Sequence, residues 1–135
     1  MKYLGVDYGD ARTGLATSTG IIATAYKTID CDYPPKILKE ILAVIEKEKI
    51  DVVVFGLPKN MDGSEGFRVE KTRAFAAELA QTFTGKIAFC DERLTTVSAT
   101  RIFNETNTRG KKRKEAVDKV AATIILQTYL DSQAR

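Results

Sequence analysis

Along the chain, the apolar positions read as short strands first and helices later. Tyr3-Leu4-Gly5-Val6-Asp7-Tyr8 is rich in β-formers and closes at Gly9-Asp10. Thr13–Ser18 follows and closes at Thr19-Gly20, and Ile21–Thr28 makes a third run. Short runs parted by Gly, Asp and Ser turns predict an antiparallel meander. Pro34-Pro35 suits the first turn of a helix. Ile37, Ile41, Val44, Ile45 and Glu48 then recur at helical spacing, with Leu38 and Leu42 widening the stripe, and the helix is expected to end near Lys49.

Asp51–Leu57 is the next strand. Its Val52-Val53-Val54-Phe55 core is continuously apolar, as in a strand covered on both faces. Pro58 stops it, Lys59–Gly66 is a loop, Asp62-Gly63 is a turn signal, and Ser64 is a candidate helix N-cap. Phe67–Phe83 reads as a second helix with Phe75, Ala76, Leu79 and Phe83 inward. Lys86–Asp91 is a fifth strand, and a short helix is expected from Thr95 or Thr96 through Asn104. Lys114–Leu130 is the last helix, with Val117, Ala121, Ile124, Ile125 and Thr128 at core spacing.

Three strands followed by alternating helices and strands imply parallel pairing with right-handed crossovers in the second half. The fold class expected is α/β, a five-stranded mixed sheet with helices on both faces and the first strand parallel to the fourth. At 135 residues the chain is expected to form one domain, 1–135.

Composition changes this picture by what it excludes. There is no histidine, and Cys31 and Cys90 do not make a metal-ligand spacing. A zinc site and any triad that needs imidazole are therefore not expected. No apolar run reaches the roughly 18 residues of a membrane span, and Met1–Asp7 is too soon acidic for a signal peptide, so a cytosolic protein is expected. Net charge is only +3, but Arg109, Lys111, Lys112, Arg113, Lys114 and Lys119 crowd one stretch that could neutralise phosphates. A solvated loop running into a helix is its plainer reading. Cys90 reads as a buried strand residue, since nothing nearby activates a thiolate.

The carboxylates carry the chemistry. Asp7 ends the first strand in a glycine-containing turn, and Asp91-Glu92 ends the fifth. In open α/β sheets ligands sit beyond the carboxyl ends of parallel strands. If the first, fourth and fifth strands are parallel, these acids share one edge with the loop after Pro58. Asp118 lies in the last helix on the flank of Ala121, Ala122 and Ile125, where an unpaired carboxylate would be costly. Oxygen ligands without imidazole or thiolate suit Mg²⁺ or Mn²⁺. Each acid alone has an ordinary structural alternative: a turn carboxylate at Asp7, a pair with Arg93 at Asp91 or Glu92, a pair with Lys114 at Asp118.

These residues resemble the YqgF/RuvX family of pre-16S ribosomal RNA nucleases, also described as Holliday-junction-resolvase-like. The resemblance rests on four separate motifs in order. They are Leu4-Gly5-Val6-Asp7-Tyr8-Gly9 with Arg12 and Gly14; Gly56 through Gly66; Asp91-Glu92-Arg93-Leu94-Thr95-Thr96; and Lys111-Lys112 with Val117-Asp118-Lys119-Ala121-Ala122 and Ile125-Leu126-Gln127-Tyr129-Leu130. It implies an RNase H-like fold and metal-dependent hydrolysis of phosphodiesters, with maturation of the 5′ end of pre-16S rRNA in the cytoplasm. The catalytic set it implies is Asp7, Asp91 or Glu92, and Asp118, with Asp7, Glu92 and Asp118 expected to hold Mg²⁺ or Mn²⁺.

Strand alternation puts Asp91 and Glu92 on opposite faces, and the sequence does not choose between them. Resolvases of the RuvC type carry a further aspartate where this chain has Ala121. Arg12, Lys59, Asn60, Arg93, Arg109, Lys111, Lys112 and Arg113 are the expected nucleic-acid contacts, with Ser64 on the same loop as Lys59. Arg12 has a second expected role, steadying Asp7. The expected partners are an rRNA precursor or branched DNA and ribosomal particles, with no membrane, for a monomer or homodimer. Two other readings remain open. One is an actin-like nucleotide-binding domain, which normally needs a second domain to close over the nucleotide, where this length is expected to have room for one domain. The other is a non-catalytic nucleic-acid or ribosome-associated binder.

Overall fold

The computed structural model describes residues 1–59, 62–92 and 110–133, with side chains throughout except at 110–119. In chain order the elements are β1 (Tyr3–Tyr8), β2 (Arg12–Ser18), β3 (Ala23–Asp30), α1 (Pro34–Glu48), β4 (Val52–Leu57), α2 (Phe67–Ala80), β5 (Lys86–Asp91) and α3 (Gly110–Gln133). One sheet has the order β3-β2-β1-β4-β5. The first three strands are an antiparallel meander, and β1, β4 and β5 run parallel.

The period-2 pattern divides the core between the two faces. Leu4 and Val6 of β1 and Val53 and Phe55 of β4 pack with Ile37, Ile41, Phe75 and Leu79 from α1 and α2. Val52 and Val54 of β4 pack with Ala122, Ile125, Leu126 and Tyr129 from α3. The continuous apolar run in β4 is thus explained by helices on both sides. Phe55 is fully buried, and burying such a side chain contributes about 1.5–3 kcal/mol.

Several boundaries differ from expectation for local reasons. β3 starts two residues later than the apolar run, because Ile21 and Ile22 belong to the turn and are exposed. Gln127 of α3 fixes that turn, accepting from the Ala23 N–H and donating to the Ile21 carbonyl, both at 2.9 Å. Glu48 is not a core position: it meets Lys2 at 3.4 Å, and Lys49 closes α1 in the left-handed region at φ 54°. α2 ends at Ala80, where a turn bonded to the Leu79 carbonyl carries Phe83 back onto the core. Ser64 does not cap α2; Gly66 stands there, and the Ser64 hydroxyl donates to Asp62 at 2.6 Å. In α3, Ala122, Leu126, Tyr129 and Leu130 join Ile124 and Ile125 in the core, while Ala121 and Thr128 are only half-buried. The short helix expected from Thr95 or Thr96 to Asn104 lies outside the described residues.

β1, β3, β4 and β5 all end at one edge. α1 and α2 begin there, since each follows such a strand. α3 runs antiparallel to β1: Ala122 lies over Gly5, and Gln127 reaches Ala23 at the opposite edge. Its N-terminal end therefore also lies at the carboxyl edge.

Candidate active site

Register decides which carboxylates meet. On β1, Leu4 and Val6 face α1 and α2, so Gly5 and Asp7 face α3. Gly5 permits close approach of that helix, because a Cβ there would stand 2.8 Å from Leu126 Cβ and 2.9 Å from the Ala122 carbonyl oxygen. Asp7 is two residues, or roughly 6.7 Å, beyond Gly5 along the strand. Position 118 is one helical turn, or roughly 6 Å, before Ala122 on α3. The two lie level at the carboxyl edge, with the Asp118 side chain outside the described residues.

On β5, Gly56↔Cys90 and Leu57↔Asp91 are the last pairs with β4. Cys90 belongs to the α3-side core, so Asp91 faces the α1/α2 side and Glu92 returns to the α3 side. The contacts agree: a Cβ on Gly56 would meet Glu92 Cγ at 3.0 Å and also the Ile125 side chain. Glu92 is thus the acid sharing a face with Asp7, and Asp91 is not. Among the described residues no three His, Cys, Asp or Glu form a metal-binding group; two of the three expected carboxylates, Asp7 and Glu92, have described side chains.

Burial pushes the Glu92 carboxyl above its usual value, an effect opposed by the positive charge of Arg68 and reinforced by Asp91. Cys90 is buried, and burial pushes its thiol up to about 11, which fits a strand residue rather than a nucleophile.

The cations sort into engaged and open. Arg12 opens β2 opposite Asp30, with Nε 3.8 Å from Asp30 Oδ1; that buried Nε–H has no hydrogen-bond partner. Lys59 meets Glu65 at 3.5 Å, and Glu65 is held by two 3.0 Å bonds from Arg73, which keep its carboxyl below the usual range. Lys59 is therefore engaged within its own loop. Asn60, Arg93 and Arg109, and the side chains of Lys111, Lys112 and Arg113, lie outside the described residues; the last three positions are in the first turns of α3.

Sequence reading missed two features of this edge. Lys71 donates to Asp10 at 2.8 Å and ties the β1–β2 turn to α2; this bond lowers the Asp10 carboxyl and raises the Lys71 ammonium. Arg68, in the first turn of α2, acts on both Glu92 and Asp10. The signal available was a Phe-Arg pair opening a helix expected to start at this edge.

A family model described as a Holliday junction resolvase, RuvX, matches residues 1–132. The chain belongs to the RuvX family. RuvX relatives include a protein of Halothermothrix orenii named "Putative pre-16S rRNA nuclease", 44% identical over 135 residues, covering 98% of this chain and 96% of the relative. A protein of the same name from Clostridium acetobutylicum is 44% identical over 134 residues, covering 98% and 99%. Among solved structures, T. thermophilus RuvC in complex with Holliday junction substrate superposes with TM-score 0.68 at 10% identity, over 99% of this chain and 96% of that one. The Fowlpox virus resolvase in complex with Holliday junction DNA gives 0.63 at 12%, over all of both chains. The RuvX chain shares their RNase H-like fold, as its four motifs led one to expect.

Proposed function

We propose that this chain is a metal-dependent nuclease that hydrolyses phosphodiester bonds and processes the 5′ end of pre-16S rRNA, acting in the cytoplasm as one domain over 1–135. The observation that carries the reading is the common face of Asp7 and Glu92, with position 118 level with Asp7 on the helix opposite. Family membership supports phosphodiester chemistry, and the relatives' names supply the substrate.

The donor set fits a hard divalent ion. It is all carboxylate in a chain with no histidine, and burial raises the half-buried Glu92 carboxyl, so a bound cation would favour its ionised form. Asp7, Glu92 and Asp118 would hold Mg²⁺ or Mn²⁺. The chemistry such an ion supplies when bound is Lewis acidity toward phosphoryl oxygens and a lowered pKa for water. The chain's own residues do the rest. Gly5 and Gly56 let α3 and Glu92 approach the sheet closely. Arg12 offers an unsatisfied N–H at the same edge. The basic start of α3 attracts the polyanion without reading its sequence. Ribosomal particles are the setting in which such a precursor is met, by a monomer or a homodimer.

The test is cleavage of a pre-16S 5′ leader RNA with Mg²⁺ or Mn²⁺, beside a four-way DNA junction. Asp7→Asn and Asp118→Asn should each lower RNA cleavage at least about a hundredfold. Persistent cleavage in both variants would sink the site. Cleavage of the junction but not the RNA would sink the substrate, and RNA binding without cleavage would leave a binding protein.

A further inference from the structure

Phe67 opens α2 at the carboxyl edge, and the residue is 72% exposed. An exposed phenyl ring in a helix's first turn contributes little to the core. It is nevertheless held: Lys71 Nζ sits 5.5 Å from the ring centroid, and Lys71 is pinned by its 2.8 Å bond to Asp10. The next residue, Arg68, is exposed, and among the described residues its guanidinium enters no ion pair.

The same helix carries a closed counterpart. Arg73 lies 5.2 Å over Phe89, but its guanidinium is occupied by Glu65 and Phe89 is only 37% exposed. The pair at 67 and 68 is thus an open aromatic face beside an open cation.

We propose that Phe67 and Arg68 form a subsite for an unpaired nucleotide of the substrate strand, the ring stacking on the base and the guanidinium holding an adjoining phosphate. The inference rests on the nuclease reading for why a strand crosses this edge. Bases stack on aromatic rings with little regard to sequence, and a guanidinium beside the ring adds a phosphate contact. Duplex bases already have both faces covered, so the subsite selects single-stranded RNA over duplex. The position is apt, because α2 begins at the carboxyl edge where β1 and β5 also end. A strand stacked on Phe67 would then have its backbone led toward the Asp7–Glu92 face.

The chain has no tryptophan, so Phe67→Trp creates a sole indole fluorophore at the subsite. It should be titrated in EDTA with a short single-stranded oligouridylate and, separately, a blunt RNA duplex. Quenching by the single strand and not by the duplex is expected. In anisotropy titrations, Phe67→Leu should bind the single strand about tenfold more weakly while Phe67→Tyr binds as wild type. Arg68→Gln should reduce the slope of log K against log salt by about 0.7. Indole emission unchanged by the single strand, equal quenching by duplex, or wild-type binding by Phe67→Leu would each overturn the subsite. Cleavage plays no part in these readings. Failure of the Asp7 and Asp118 variants to abolish cleavage would therefore count against the nuclease site alone.

Discussion

One step along β5 separates two carboxylates with opposite surroundings. Asp91 faces the α1/α2 side, and Glu92 lies against Gly56 and Ile125 on the side of Asp7. Glu92→Gln should therefore lower metal-dependent cleavage at least about a hundredfold, while Asp91→Asn stays within about threefold of wild type, measured as initial rates. The reverse order would move the site to the other face. Glu92 also sets a pH dependence. Its folded pKa is raised above 4.5 by burial, so its contribution to stability is fully present below the unfolded value and is lost as pH rises through the folded value. In EDTA, wild-type Tm should fall over that window, and Glu92→Gln should show a shallower fall with a Tm higher by roughly a few degrees at pH 7. Parallel curves for the two proteins would mean that Glu92 is not strained by burial.

At the scale of elements, the site depends on how closely α3 approaches β1 and β4. A Cβ on Gly5 would meet backbone of α3, the Ala122 carbonyl at 2.9 Å, and the first side-chain carbon of Leu126, and neither can swing away. A Cβ on Gly56 would meet the flexible end of Ile125, which can rotate, and Glu92 Cγ at 3.0 Å. Gly5→Ala should destabilise by about 1–3 kcal/mol in urea unfolding, and Gly56→Ala by less, while Gly56→Ala still loses cleavage because Glu92 must shift. Equal stability costs would refute this division. The same contacts show what the sequence made legible. The parallel triplet β1, β4, β5 followed from alternating elements, and with it the shared edge of Asp7 and Asp91-Glu92. The choice of Glu92 was not legible, because it depends on which face of β5 meets α3, and Lys86–Asp91 carries no strong alternation. Ile21-Ile22 misled for a related reason: an apolar pair does not reveal that Gln127, over a hundred residues away, fixes it as a turn. Side-chain pairs across elements, such as Lys71 with Asp10, leave no periodic trace.

For the whole molecule, topology gathers charge that the composition spreads thin. Net charge is only +3, yet each helix among the described residues starts at the edge where Asp7 and Glu92 stand, and the positions of Lys111, Lys112 and Arg113 lie at the start of α3. On the proposed reading, a substrate approaching that edge meets the Asp7 and Glu92 carboxylates, so its binding is expected to rest on cations beside them. The edge cations within the described side chains are partly spent: Lys59 is engaged by Glu65 and Lys71 by Asp10. The start of α3 is then expected to supply a large share of the phosphate contacts. Replacing Lys111, Lys112 and Arg113 by alanine should weaken binding of single-stranded RNA and lower the slope of log K against log salt by about 2, at roughly 0.7 for each phosphate no longer neutralised. The measurement is a salt series in the Asp7→Asn background, where the RNA stays intact. A smaller affinity with an unchanged slope would mean the three residues act by shaping α3 rather than by meeting phosphates. An unchanged affinity would return the stretch to a solvated helix start. The expected result, a shallower slope with the Asp7–Glu92 face untouched, would make capture and hydrolysis separable functions of one edge.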